Sequence, residues 1–367
     1  MTFSSLKTVF RIVGGIFFIS IFYVVFVLAH GTFTDFQPEA IQPIKAHQSS
    51  KITIVEQEEL SFITWNIGFG GLGKESEFFF DNDGSLFFSW GKMINAPKTV
   101  VEKNINGVLD FVQKEAADFY LFQEVDVSSK RSYYHNEFEQ VANKLPTFEA
   151  HFATNYQVER VPIPIMEPWR VYGKAFSGLA TYGRFHTSNA SRLQLPGAFD
   201  WPTRIFQLDR CIAIQRYPTT KNGELVVMNI HHSAYDEGGS LKKQQMAFLK
   251  DLLLAEYAKG NYVIVGGDWN QCPPDFPFDK FMPGQTEGYT QLNIPQDYLP
   301  EEWTWAFDPQ TPTNRKTHSP YKAGTTFVTL IDFFLVSPNV EVLEAKGISQ
   351  GFDFSDHQPV KLRVRLR

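Results

Sequence analysis

The sequence is poor in cysteine, carries no excess of basic charge, and has no charge at all in one long stretch near its start. Two cysteines in 367 residues, Cys211 and Cys272, exclude a disulfide scaffold at this size. There is no Cys-x-x-Cys pair, so no thiolate zinc site is expected, and the two cysteines read as isolated small core residues, with a single bridge as the alternative. A net charge of -6 and a pI of about 5.9 exclude an overall basic footprint for nucleic acid. A positive field for a phosphate must then come from local patches or from a bound metal.

The uncharged stretch is residues 12–29. As a helix it would be about 27 Å long, close to the thickness of a bilayer core. Lys7 and Arg11 precede it and no Lys or Arg follows until Lys45, so the positive-inside rule keeps residues 1–11 in the cytoplasm and exports the rest. The competing reading is a signal peptide cut after Val27-Leu28-Ala29, which also exports the domain. Residues 30–55 have scattered polar residues, prolines and no periodicity, and read as a stem. Residues 56–367 are then the catalytic domain.

In that domain, helical spacing marks 98–115, with Val101, Ile105, Val108, Leu109 and Val112, and 241–258, with Phe248, Leu249, Leu252 and Leu253. A shorter helix is expected near 136–145. Strands are expected at 60–67, 118–122, 177–182, 205–215, 224–230, 261–265, 330–336 and 360–366. The region 68–97 is a long loop with the aromatic runs Phe78-Phe79-Phe80 and Phe87-Phe88, which either touch substrate or pack the loop down. Strands outnumber helices and no internal repeat is present, which predicts one layered α/β domain with loops gathered at strand ends.

Six short polar clusters sit where apolar runs end: Trp65-Asn66, Gln123-Glu124, Asn229-Ile230-His231, Gly267-Asp268-Trp269-Asn270, Ile331-Asp332 and Ser355-Asp356-His357. Asn, Glu, Asp and His suit a hard divalent cation and a phosphate ester, and lack what hydride or acyl transfer needs. Asp268 and Asn270 flank Trp269 and project to one side, where they take a proton from water and hold it in line, or merely form a turn. Asp332 lies in an apolar run and needs a partner, for which the His357 imidazole is the natural one. Asn66, Glu124 and Asp356 form an all-oxygen set suited to Mg2+ or Mn2+ over zinc. His231 and His232 point to opposite faces of a strand, so only one serves the site. Arg131 and Arg315 are phosphate contacts by charge alone, or surface arginines.

These residues and their order resemble the endonuclease/exonuclease/phosphatase superfamily, in particular its deoxyribonuclease-like and neutral-sphingomyelinase-like members, as a membrane-anchored bacterial-type form. The resemblance runs from about Leu60 to the carboxyl terminus. It implies a four-layer α/β sandwich of two packed mixed sheets flanked by helices, here preceded by one transmembrane helix. It implies magnesium ligands at Asn66 and Glu124 with Asp356 nearby, Asp268 activating water, and Asn270 positioning it. It also implies His357 at the phosphate, paired with Asp332, and His231 as a second phosphate contact. His232-Ser233-Ala234 resembles a His-Ser-Ala run of the same family, which leaves the His231 register open, and Thr311-Pro312-Thr313-Asn314 resembles a phosphate-side loop. The implied reaction is metal-assisted hydrolysis of a phosphodiester or phosphomonoester, in nucleic acid or in a lipid headgroup. A binding protein that lost catalysis would have broken motifs, and here all six are intact.

Overall fold

A computed structural model describes residues 3–79, 86–234, 239–284 and 293–367. The chain begins with one long helix, α1 (Phe3–Phe33). The elements that follow are β1 (Ile41–Pro43), β2 (Glu59–Asn66), α2 (Lys98–Lys114), β3 (Phe119–Asp126), α3 (Glu137–Lys144), β4 (Glu149–Val161), β5 (Gly173–Gly183) and β6 (Asn189–Gln194). Then come β7 (Cys211–Tyr217), β8 (Leu225–His231), α4 (Ser240–Ala258), β9 (Tyr262–Asp268), β10 (Thr304–Ala306), β11 (Asn314–Arg315), β12 (Val328–Thr329), β13 (Asp332–Val336), β14 (Val340–Gly347) and β15 (Val360–Leu366).

Two large sheets form the body. One has the order β1-β6-β7-β8-β9-β13-β10 and the other β14-β15-β2-β3-β5-β4, with a separate β11-β12 pair. Both are mixed: β2 runs parallel to β3 and β8 parallel to β9, and the other pairings are antiparallel. The strand period of two sorts their residues. In β15, Val360, Leu362, Val364 and Leu366 are buried while Arg363 between them is exposed. The inner faces meet in one apolar layer that includes Phe62, Phe119, Leu121, Val227, Ile264 and Phe334. Helix α4 lays Met246, Leu249 and Leu253 on the outer face of the seven-stranded sheet, and α2 and α3 cover the other sheet with Phe111, Val112, Phe138 and Val141. The result is the expected helix–sheet–sheet–helix sandwich.

One polar link crosses the apolar layer. Gln123 Nε2 donates to Asn229 Oδ1 at 2.8 Å, and Asn229 Nδ2 donates to the Phe122 and Ala180 carbonyls at 3.1 and 3.0 Å. Both side chains are fully buried, so these bonds fix the position of β3 against β8.

Several expectations shift. The strand expected over 205–215 starts only at Cys211, because Thr203–Phe206 is a 3-10 turn and Asp209-Arg210 interrupts the apolar run. The strand expected over 118–122 continues to Asp126, past a bulge. Residues Leu330 and Ile331 precede β13, which starts at Asp332. Strands β1, β4, β6 and β14 mix polar with apolar residues and show no clear apolar run: Ile41 of β1 is exposed, while Glu149, His151 and Asn155 of β4 and Arg192 of β6 are buried. Cys211 and Cys272 are both free and buried.

The stretch 30–55 is more tightly held than a stem. Strand β1 pairs with β6, Gln48 Nε2 donates to the Leu145 and Phe148 carbonyls at 2.7 and 2.8 Å, and Val55 bridges to Thr219. Extended backbone with unpaired N–H groups adds readily to an exposed sheet edge. Helix α1 is different: from Phe10 to Phe33 it is long and apolar enough to cross a membrane and is almost entirely exposed.

Candidate functional site

The site begins with a row set by strand register. In the seven-stranded sheet, His231 at the end of β8 lies opposite Asp268 at the end of β9, and Asp268 lies opposite Asp332 at the start of β13. Residues opposite one another in adjacent strands project to the same face. His231 Nε2 sits 3.4 Å from Asp268 Oδ2. Asp268 Oδ1 accepts the Asn270 N–H at 2.9 Å, which fixes the carboxylate plane. Gly267 makes the row possible. Its φ is +156°, and a Cβ there would overlap the Ile230 carbonyl oxygen. Gly267→Ala is expected to lower stability by about 1–3 kcal/mol in urea unfolding, the usual cost of overpacking, and to displace Asp268.

The second sheet supplies the facing wall. Asn66 ends β2, and its Nδ2 donates to Asp268 Oδ2 at 3.0 Å and to Glu124 Oε1 at 3.2 Å, while its Oδ1 accepts the Gly68 N–H at 3.0 Å. Glu124 occupies the bulge in β3, where the register with β5 shifts between Phe122 and Val125. Its φ of +53° is left-handed, unusual for a residue with a side chain. The bulge re-aims the carboxylate toward Asn66 and leaves it partly open to solvent.

The third contribution is the turn before β15. His357 Nδ1 donates to Asp332 Oδ2 at 2.8 Å, and Nε2 lies 3.0 Å from Asn314 Nδ2, 3.5 Å from Asn66 Nδ2 and 3.7 Å from Asp268 Oδ2. Ser355 Oγ donates to the Asn66 carbonyl and accepts the His357 N–H, tying this turn to β2. Asp356 sits on the neighbouring side, its Oδ1 beside Ser355 Oγ and close to Gly68.

Burial and charge separate the two histidines. Burial first, then the charges of Arg210 and His357, holds His231 well below the usual histidine value, so it is neutral at pH 7. Burial would also lower His357, but the carboxylates of Asp332, Asp268 and Asp356 outweigh it and hold His357 well above that value. Burial raises Asp332 to about 6 against the pull of His357. At pH 7 the His357–Asp332 pair is therefore charged on both sides.

His232 faces the other way. It is fully buried against Trp269, at 5.6 Å between ring centres, and burial lowers its pKa to about 3. Asn270 turns its side chain to the His232 carbonyl, with Nδ2 to O at 3.0 Å, so it braces the β8–β9 edge and does not bond Asp268 by that amide. Arg131 and Arg315 are buried rather than on the surface. Arg131 is bidentate to Asp126 and lies over the Phe69 ring at 3.7 Å. Arg315 donates to the Leu72 and Gly73 carbonyls. Two residues of the site were not among those expected to act. The Asn314 side-chain amide lies against His357 Nε2, and a half-turn of that planar group gives the imidazolium N–H an oxygen to bond, while Thr313 Oγ1 accepts the Asp332 N–H at 3.0 Å. The Thr311–Asn314 run was the available signal.

Among the described residues, ligand-type atoms of Asp268, Asp332 and His357 lie within 4.8 Å of one another. Asp332 Oδ2 and His357 Nδ1 are spent on each other, so this trio is better suited to holding a proton than a cation. The oxygens suited to a hard cation lie beside it. Glu124, Asp268, Asp332 and Asp356 bring four carboxylates to the pocket against the His357 imidazolium, and Asp332 Oδ1 has no partner among the described residues. That excess of buried negative charge fits a divalent cation. Asn66 here presents its amide nitrogen to the carboxylates; a half-turn of the same planar group presents its oxygen instead, at the loss of the Gly68 bond.

No curated protein matches the sequence. Among solved structures, an endonuclease/exonuclease/phosphatase from Beutenbergia cavernae is similar over 84% of this chain and 72% of its own, at 18% identity and a TM-score of 0.59. A protein of the same description from Bacteroides vulgatus covers 85% of this chain and 100% of its own, at 14% identity and a TM-score of 0.51. The human Nocturnin catalytic domain with bound sulfate covers 85% and 97%, at 16% identity and a TM-score of 0.50. At such identities the likeness establishes the fold. The sequence profile of the Endonuclease/Exonuclease/phosphatase family matches residues 63–357, from β2 to the histidine of the Asp332 pair. The chain therefore belongs to the Endonuclease/Exonuclease/phosphatase family, whose members are hydrolases acting on phosphate esters.

Proposed function

We propose that this chain is a divalent-metal-dependent phosphoesterase, anchored by α1 and exported, that hydrolyses a phosphodiester or phosphomonoester by in-line attack of water. One observation carries the reading. Asp268 Oδ2 stands 3.0 Å from Asn66, 3.4 Å from His231 and 3.7 Å from His357, so a water-activating carboxylate and two imidazoles share one buried pocket.

Glu124, Asp356 and Asn66 would hold Mg2+ or Mn2+, which polarises a phosphoryl oxygen and stabilises the leaving oxygen when bound. Asp268 takes the proton from the attacking water; its fixed plane aims one oxygen into the pocket. Asn270 holds the β8–β9 edge that carries Asp268 and His231. His357, kept protonated by Asp332, donates from Nε2 to a nonbridging phosphoryl oxygen as charge builds there. Neutral His231 donates from Nε2 on the opposite side of Asp268.

Glu124→Gln removes a carboxylate from the cation side without touching the core. The expected result is at least about a tenfold rise in the magnesium concentration for half-maximal activity. Stability in denaturant should stay within about 0.5 kcal/mol of wild type, because the side chain is partly exposed.

The substrate is resolved by a screen of the full chain in detergent with magnesium against DNA, RNA, phosphoinositide vesicles and sphingomyelin vesicles. Cutting of nucleic acid supports an exported nuclease; release of phosphate or phosphocholine supports a headgroup phosphodiesterase or phosphatase. No hydrolysis of any of them would count against the reading.

A further inference from the structure

We infer that two loops beside the site, 86–91 and 163–170, form a surface that seats on the phospholipid bilayer holding α1. The inference rests on α1 being retained as a membrane span.

The first observation is an exposed apolar patch shared by two loops. Ile165 N–H donates to the Leu86 carbonyl and Met166 N–H to the Phe87 carbonyl, so the loops run side by side like two strands. Ser89 closes the arrangement by bonding the Glu167 carboxylate through both N–H and Oγ. On this frame Trp169 is 74% exposed, Trp90 68%, Met166 54% and Phe87 52%, with Phe88 packed on Trp90 at 5.3 Å. Scattered exposed apolar residues need no explanation, but two tryptophans, a methionine and a phenylalanine held together by backbone bonds do. The described aromatics at 78 and 79 behave differently. Phe78 and Phe79 pack with Tyr156 and Tyr172, so apolar residues with a core to join have joined it.

The second observation is where this patch lies. The outward half of α1 runs along the same corner of the domain: Tyr23, Phe26 and His30 face Lys130, Arg160, Val171 and Lys174 across a shallow cavity, and the last turn meets Ile205, Phe206 and Trp201. Val171 directly follows the 163–170 loop, and Arg160 Nη2 donates to the Pro168 carbonyl within it. An apolar helix that must leave water thus passes the same corner as an apolar patch that is exposed among the described residues. Between them lies basic charge. Lys174 and Arg170 have Glu159 and Glu167 as partners, whereas Lys130 and Arg160 donate to main-chain carbonyls and have no acidic partner among the described residues. Tryptophan at the headgroup level and lysine or arginine beside lipid phosphate is the arrangement a membrane interface favours. A second copy of the chain or a soluble protein partner would not account for the nearness of α1.

The third observation links the patch to the site. Tyr172 N–H donates to the Ile163 carbonyl, Tyr172 packs on Phe78, and Phe78 on Phe69, which follows Gly68 beside Asp356. The 163–170 loop joins β4 to β5, and β5 is the sheet neighbour of β3, which carries Glu124. Seating the patch on lipid brings the site to the level of the headgroups.

The test uses the full chain reconstituted in vesicles containing phospholipids brominated on the acyl chains, which quench tryptophan fluorescence on contact. Trp65, Trp269 and Trp303 are buried, so Trp90, Trp169 and Trp201 are the main exposed reporters. Trp201 Nε1 donates to Thr32 Oγ1 at the end of α1 at 3.1 Å, so every arm carries Trp201→Phe; the expected result is strong quenching in that background and loss of most of it when Trp90→Phe/Trp169→Phe is added. Quenching retained in full after that addition, or tryptophans that aqueous iodide reaches as well in vesicles as in detergent, overturns the inference. Protection from iodide without bromolipid quenching would assign the patch to a protein partner and equally overturn it. Release of the chain from membranes by alkaline carbonate would remove the anchor itself, an outcome distinct from failed quenching by a chain that stays bound.

Discussion

Asp268→Asn is expected to lower kcat by about 10²–10⁴, the usual contribution of a positioned general base. The substitution keeps volume and shape, and Oδ1 still accepts the Asn270 N–H. What it removes is the oxygen that stands between Asn66, His231 and His357 and can hold a proton. Asp268 also contributes to raising Asp332, so the variant should bring the Asp332 carboxyl below its value of about 6. Carbon-detected NMR titration of the Asp332 carboxyl reads that fall. A purely structural Asp268 would lower stability and leave kcat of the folded fraction unchanged.

His357→Ala should cost both activity and fold. Removing one member of a buried ion pair leaves the other charge uncompensated, which costs about 3–5 kcal/mol. Here the abandoned group is the Asp332 carboxylate, fully buried and bonded to His357 Nδ1 at 2.8 Å. The loss of a donor to the phosphoryl oxygen should lower kcat by about 10²–10³. The pH dependence has a definite sign. The folded-state pKa of His357 lies well above 6.5, so its contribution to stability is fully present below about pH 6.5 and is lost as pH rises through the folded value. Urea unfolding of wild type across pH 6–10 should therefore show declining stability on the alkaline side. Activity should fall over the same range as Nε2 loses its proton. The double variant His357→Ala/Asp332→Asn should recover much of the stability and none of the activity, because it removes the stranded charge without restoring a donor.

Strands were legible in the sequence wherever they are apolar on both faces, while the sandwich itself was implied by the family resemblance. Strands β8, β9 and β13 sit inside a sheet with another layer on each side, and their runs of Val, Ile, Leu and Phe mark them. Strands β4 and β14 were not legible because they lie at sheet edges and alternate with polar residues. The site residues were legible as polar side chains where apolar strands end. Their convergence was not, because it depends on register: His231, Asp268 and Asp332 form a row only through the β8–β9 and β9–β13 pairings. Backbone geometry was also hidden. The left-handed Glu124 in its bulge aims a carboxylate that a regular strand would send elsewhere, and no residue type signals it. Asn314 was signalled only as part of a run resembling a phosphate-side loop; its place against His357 depends on the fold. The pairing within residues 30–55 was not legible because backbone pairing at a sheet edge needs no side-chain pattern.

The decisive measurement is hydrolysis of the phosphate ester found in the screen, run with magnesium in water enriched in 18O. Wild type should place the heavy oxygen in the phosphoryl product. A chelator should stop the reaction, and Asp268→Asn should be slower by at least about a hundredfold. Turnover that Asp268→Asn leaves undiminished, or heavy oxygen appearing in the leaving alcohol, would contradict in-line attack of water activated by Asp268.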